Sequence, residues 1–310
     1  MRRTAGITTV ALLVVLAVWI AIGERPAGDT GRWLRELGLS PRVANVNGVG
    51  VRYVRSGQGP PLVLVHGLAA SVYSWSEVLA ELAKRHDVVA VDLPGFGGSE
   101  MPPDLTFAAY PPTVLGLMDQ LGLARASLVG NSMGGAAAAA IAADHPDRVE
   151  RLVLIDSAGL NLAPKDRPAV LRLVGALPGA VLERLPVRRA LTRLALPQVF
   201  FDPRLVTEER FEEYLAPLLR RGAVVSLSSL LSTPHADAAQ FQALLRRIRA
   251  PTLILWGRED RWIPVAQADR FAAAIPNARL TILAGCGHLP QEERPLETAA
   301  LVASFLASPP

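Results

Sequence analysis

The chain reads as an α/β protein: a doubly wound, mostly parallel sheet with one inserted helical cap, preceded by an apolar segment long enough for a transmembrane helix. Three observations predict this. Short aliphatic and β-branched runs alternate with helical stretches. The runs are continuous rather than alternating in polarity, as in strands buried on both faces of a sheet. The rhythm breaks once, near residue 157, and resumes near 251. With 310 residues, 50% of them hydrophobic, the chain has material for a large core.

The N-terminus comes first. Arg2 and Arg3 precede an uncharged stretch, residues 4–23, that includes ALLVVLAVWIAI. At a rise of about 1.5 Å per residue it reaches about 30 Å, enough to cross the hydrocarbon core, whereas a secretory apolar region is typically about 7–15 residues. Residues 1–24 are therefore expected to be a membrane anchor. The small residues Ala21-Ile22-Gly23 leave a cleaved signal peptide and a secreted form as the alternative. Arg25, Arg32, Arg35 and Arg42 follow the segment, so flanking charge sets no clean orientation; the reading leans to an extracytoplasmic catalytic domain.

Residues 43–47 and 51–55 flank Asn47-Gly48, a dipeptide that favours tight hairpins, so the domain opens with antiparallel strands. Buried strands are expected over 62–66, 88–92, 126–130 and 152–156, then over 251–256 and 280–283, with a closing helix over 296–306. Residues 43–156 and 251–307 form the predicted core. Residues 157–250 form the predicted cap, with helical spacing in Val170, Leu171, Val174 and Leu177 and again in Phe211, Tyr214, Leu215 and Leu218. The cap carries thirteen arginines and Lys165 against eight acids, within a chain of net charge +4. This diffuse excess, without a zinc-finger, RNA-binding or helix-turn-helix signature, excludes nucleic acid as the expected partner. It fits a solvated helical surface, or attraction to anionic head groups. The single cysteine, Cys286, cannot form an internal disulfide.

Chemistry concentrates at Gly130-Asn131-Ser132-Met133-Gly134-Gly135, between a predicted strand and an alanine-rich helix. A nucleophile at the tip of a sharp strand-to-helix turn needs glycines where the two backbones approach, and the turn aims the Met133 N–H at an oxyanion. The alternative for Ser132 is an ordinary helix cap. Serine needs a base, and only five histidines are available. His86 and His145 fit solvated polar positions, and His235 lies in the cap. His66 ends a strand, where it shapes a loop. His288, in a glycine-rich loop after the last strand, is the expected base. The orienting acid should lie between serine and histidine in chain order, leaving Asp156 and Asp260. Asp260, four residues beyond Trp256, is favoured; Asp156 ends its strand and reads as a cap of the next turn. Adjacent Glu259 points elsewhere. The second oxyanion donor is expected to be the backbone N–H of Leu68, in His66-Gly67-Leu68. No cluster with metal-ligand spacing occurs, so neither metal nor cofactor is expected.

These residues, with Asp92-Leu93-Pro94-Gly95-Phe96-Gly97-Gly98-Ser99, closely resemble the α/β-hydrolase superfamily over roughly residues 43–307. Ser132 excludes the branches with aspartate at this position, the haloalkane dehalogenases and epoxide hydrolases. The GNSMGG, WGRED and GCGH segments are similar to both the meta-cleavage carbon-carbon bond hydrolases and the membrane-associated monoacylglycerol lipases and esterases. The former usually carry a tryptophan after the catalytic histidine and a longer glycine-rich oxyanion loop. Here Leu289 follows His288 and the loop reads HGLAA. The resemblance therefore implies a serine hydrolase of a small lipophilic ester. Carbon-carbon cleavage is the chemical alternative, and a catalytically inactive membrane-tethered binding module the non-enzymatic one.

Overall fold

Asn47 and Gly48 both adopt positive φ, 53° and 84°, the conformation that lets a two-residue turn follow the right-handed twist of its strands. They join β1 (Arg42–Val46) to β2 (Val49–Ser56) as an antiparallel hairpin. The structure, a computed structural model, describes residues 26–28, 30–102, 105–160, 168–232 and 238–308. The apolar segment 4–23, Lys165 and His235 lie outside the described residues. Among the described residues no helix is long and apolar enough to cross a membrane.

Six further strands follow: β3 (Pro61–Val65), β4 (Asp87–Val91), β5 (Ala126–Asn131), β6 (Val149–Ile155), β7 (Thr252–Gly257) and β8 (Ala278–Leu283). The sheet order is β1-β2-β4-β3-β5-β6-β7-β8, parallel from β4 onward. Each expected strand is present, with ends moved by one to three residues. The continuous apolar runs are explained by side chains alternating between two buried faces. Val63 and Val65 enter one apolar cluster with the helices Tyr110–Gln120 and Met133–Asp144. Leu62 and Leu64 enter the other, with the helices Ser76–Leu82 and Pro295–Ala307. Each fully buried aliphatic side chain contributes roughly 1.5–3 kcal/mol relative to exposure, so the central strands are the most strongly specified part of the chain.

Between β6 and β7 the described residues run through short helices, among them Ala169–Ala176, Arg188–Val199, Glu208–Leu219, Ala223–Ser232 and Ala238–Leu245. They cover the end of the sheet where β5 and β7 terminate. Pro26, Gly28 and Gly31 lie against these helices: Arg189 donates to the Pro26 carbonyl at 3.1 Å, Glu212 accepts from the Gly28 N–H at 2.9 Å, and Glu213 accepts from the Gly31 N–H. Trp33 and Leu34 then enter the core, Trp33 edge-on to Tyr73 at 6.1 Å.

Candidate active site

Ser132 sits between β5 and the helix Met133–Asp144 at φ 54°, ψ −118°, a strained conformation for a residue with a Cβ. The helix packs so closely that a Cβ at Gly130 would collide with the Gly134 carbonyl, and one at Gly134 with the Val65 and His66 carbonyls. Alanines 136–139, almost fully buried, keep it against the sheet. Ser132 makes no side-chain cap hydrogen bond, which removes the helix-cap reading. Its hydroxyl faces a cavity of 670 Å³ between sheet and cap.

His288 lies on the same cavity, 4% exposed. Its Nδ1 is 2.7 Å from Asp260 Oδ2, so the imidazole presents Nε2 as its acceptor. Asp260 Oδ1 accepts from the Trp262 and Ile263 N–H groups at 2.7 and 3.0 Å, fixing the carboxylate plane. Trp262 stacks on the imidazole at 5.9 Å. The structure does not close the hydrogen bond from Ser132 Oγ to the imidazole, a contact that commonly tightens only around substrate. Leu68 and Met133 also line the cavity. Met133 opens its helix, so its N–H has no intrahelical partner. Both residues therefore border the space before Ser132, where an oxyanion site would draw on their N–H groups.

The loop carrying Leu68 is shaped by DLPGFGGS. Asp92 accepts from the Val72 N–H at 2.7 Å and the Gly98 N–H at 2.8 Å, and pairs with Arg52. His66 is fully buried. Its Nδ1 lies 2.7 Å from the Gly67 carbonyl and its Nε2 accepts from the Leu93 N–H at 3.0 Å. Burial lowers its pKa, so it stays neutral and shapes the loop, as its sequence position implies. His145 is exposed. His86 is a correction: it is buried, its ring 3.2 Å from the Leu82 carbonyl at a helix end. Asp156 is another. Instead of capping the next turn, its Oδ1 accepts from the Gly257 N–H across on β7, at 2.9 Å.

Sequence reasoning missed four braces on the histidine loop. Asn131 Nδ2 donates to the His288 carbonyl at 3.1 Å, and the His288 N–H donates to the Val199 carbonyl of the cap at 2.8 Å. Glu293 accepts from the Gly287 and Phe201 N–H groups, at 2.8 and 2.7 Å. Buried Glu292, pushed up to about 7 chiefly by desolvation, accepts from Tyr214 and lies 3.0 Å from Arg210. Asn131 had a local signal, its place inside the elbow; apart from the Glu293–Gly287 contact, six residues apart, the others join segments far apart in sequence. Glu259 does point elsewhere, accepting from the Cys286 N–H at 3.0 Å.

Residues 60–295 match the family model described as the alpha/beta hydrolase fold. The chain is 35% identical over 261 residues to 2-hydroxymuconate semialdehyde hydrolase of Pseudomonas sp. (strain CF600), covering 81% of this chain and 88% of that protein. It resembles the crystal structure of a membrane phospholipase A, described as a bacterial virulence factor. The identity is 29% and the TM-score 0.69, across 99% of this chain and 98% of that one. It also resembles an enol-lactonase from Burkholderia xenovorans LB400, at 29% identity and a TM-score of 0.74, over 86% of this chain and all of that one. With the nucleophile elbow, the buried acid-histidine pair and this match across its sheet, the chain belongs to the α/β-hydrolase family and is a hydrolase.

Proposed function

We propose that this chain is a serine esterase that hydrolyses lipophilic carboxylic esters through an acyl-enzyme on Ser132. His288 removes the Ser132 proton as Oγ attacks the ester carbonyl, and the Leu68 and Met133 N–H groups hold the oxyanion. His288 then protonates the leaving alkoxide. Water, deprotonated by the same imidazole, attacks the acyl-enzyme and regenerates Ser132. Asp260 fixes the imidazole tautomer and stabilises its cation.

The observation that carries the reading is the cavity wall. Away from the catalytic groups it is mostly apolar, with Leu171, Val174, Leu191, Leu218, Leu227 and Leu230 on the cap side. Its 670 Å³ lies inside the roughly 300–1,000 Å³ of small-molecule sites. Such a wall stabilises an acyl chain by about 0.8 kcal/mol per buried methylene, or about fourfold in kcat/KM per step. A series of p-nitrophenyl esters from acetate to palmitate should therefore show kcat/KM rising until the cavity is filled. A preference for acetate would overturn the reading.

A second reading, hydrolysis of a carbon-carbon bond in a ring-cleavage dienoate, draws on the 2-hydroxymuconate semialdehyde hydrolase likeness and on one wall residue. Arg188 is a cation on the cavity, although its guanidinium also lies 3.9 Å from Glu183 and 3.4 Å from the Leu219 carbonyl. A dienoate turned over faster than every ester would favour it.

The same proposal includes a membrane tether. Its support is the apolar stretch 4–23, the hydrogen bonds of Pro26, Gly28 and Gly31 to the cap, and the phospholipase likeness, which spans 99% of this chain. The full-length protein is expected to stay with membranes through a carbonate wash, and to be released when residues 1–24 are deleted. Equal partitioning of both forms would refute the tether.

A further inference from the structure

Asp156 is buried completely at the end of β6, with φ 43°, a region in which aspartate and asparagine are tolerated far better than most residues. One oxygen, Oδ1, accepts from the Gly257 N–H at 2.9 Å. The other, Oδ2, is buried with no partner among the described donors. A carboxyl oxygen of Asp156, one of Asp260 and a nitrogen of His288 all lie within 4.8 Å of one another. Two ionised carboxylates this close, both shielded from water, repel strongly unless a proton sits between them. Asp260 is the charged member: it accepts from two backbone N–H groups and from the imidazole. That leaves it one open acceptor site of about four.

We propose that Asp156 is a positioning residue, a neutral carboxylic acid whose O–H donates to Asp260 and holds that carboxylate toward His288. The inference rests on the assignment of His288 and Asp260 made above. The groups facing Asp156 agree with it. Glu293 and Asp260 are acids, and their charge, after burial itself, pushes the Asp156 carboxyl well above the usual carboxylate range. The His288 imidazole, within 4.8 Å, is already paired with Asp260, and Cys286 is a buried thiol whose own pKa burial raises. No cation neutralises Asp156 in this account; a shared proton does. Held this way, Asp260 carries four hydrogen bonds, and the Gly257 N–H ties the pair to the loop that bears it.

Three measurements on the full-length enzyme test this. Asp156→Asn keeps the acceptor for Gly257, a donor for Asp260 and the left-handed backbone. It should stay within about threefold of wild type in kcat/KM, with the acid limb of its pH profile unmoved. If Asp156 were ionised, the same substitution would remove a negative charge beside the imidazole and draw that limb to lower pH, overturning the proposal. Asp156→Gly tolerates the backbone but offers no donor. It should lower kcat by about 10²-fold with little change in KM, as a displaced catalytic group does; unchanged kcat would overturn the proposal. Infrared difference spectra at pH 8 between wild type and either variant should show a protonated-carboxyl stretch that the substitution removes. Its absence would refute a neutral Asp156. That readout needs no turnover, so it stands apart from any failure of the esterase reading.

Discussion

Ser132→Ala is expected to lower kcat for a long-chain p-nitrophenyl ester by about 10⁶-fold, the scale reported for loss of the nucleophile in a serine hydrolase. In the proposed mechanism the residue supplies the attacking oxygen and little else. It makes no cap hydrogen bond and faces the cavity rather than the packed interior. Alanine fits the tight turn as well as serine does, because the close approaches are carried by Gly130 and Gly134. The thermal midpoint should therefore remain near that of wild type. Melting curves read beside initial rates separate the two effects. Retained turnover would remove Ser132 from the mechanism, and a large drop in melting temperature would show that the turn had been misread as unloaded.

Asp260→Asn should be the next most damaging change, about 10⁴-fold in kcat, for a reason visible in the hydrogen bonds. Oδ1 is held by two N–H donors, those of Trp262 and Ile263, so the amide oxygen of the variant must stay there. Its NH₂ then faces His288 Nδ1, where a carboxylate oxygen now sits at 2.7 Å. Two donors cannot meet, so the imidazole proton moves to Nε2 and the nitrogen facing the cavity ceases to be a base. KM should change little. If Asp156→Asn proved the more damaging of the two substitutions, the acid would be Asp156 and the assignment would be reversed.

Much of this site was legible because its parts are local. Gly130-x-Ser132-x-Gly134 states in five residues that a strand and a helix meet too closely for side chains, and the order Ser132, Asp260, His288 follows from which strand ends share an edge. Continuous apolar runs identified the central strands because both faces of the sheet are covered. The rest depends on contacts between distant segments. Nothing around Asp156 in sequence indicates that its carboxyl lies beside that of Asp260, since β6 and β7 become neighbours only after the helices between them fold out of the way. The Val199 and Glu293 braces are invisible for the same reason. His86 looked solvated because it precedes a strand, but the preceding helix turns its ring inward to the Leu82 carbonyl.

Covalent labelling tests the central claim most directly. The native protein is treated with a fluorophosphonate, and the adduct is located by intact and peptide mass. A single adduct is expected on the peptide carrying Ser132, absent from Ser132→Ala and from protein unfolded beforehand, because in the proposed mechanism reactivity requires His288 and the oxyanion donors in place. No adduct on native protein, or an adduct on a different residue, would contradict it.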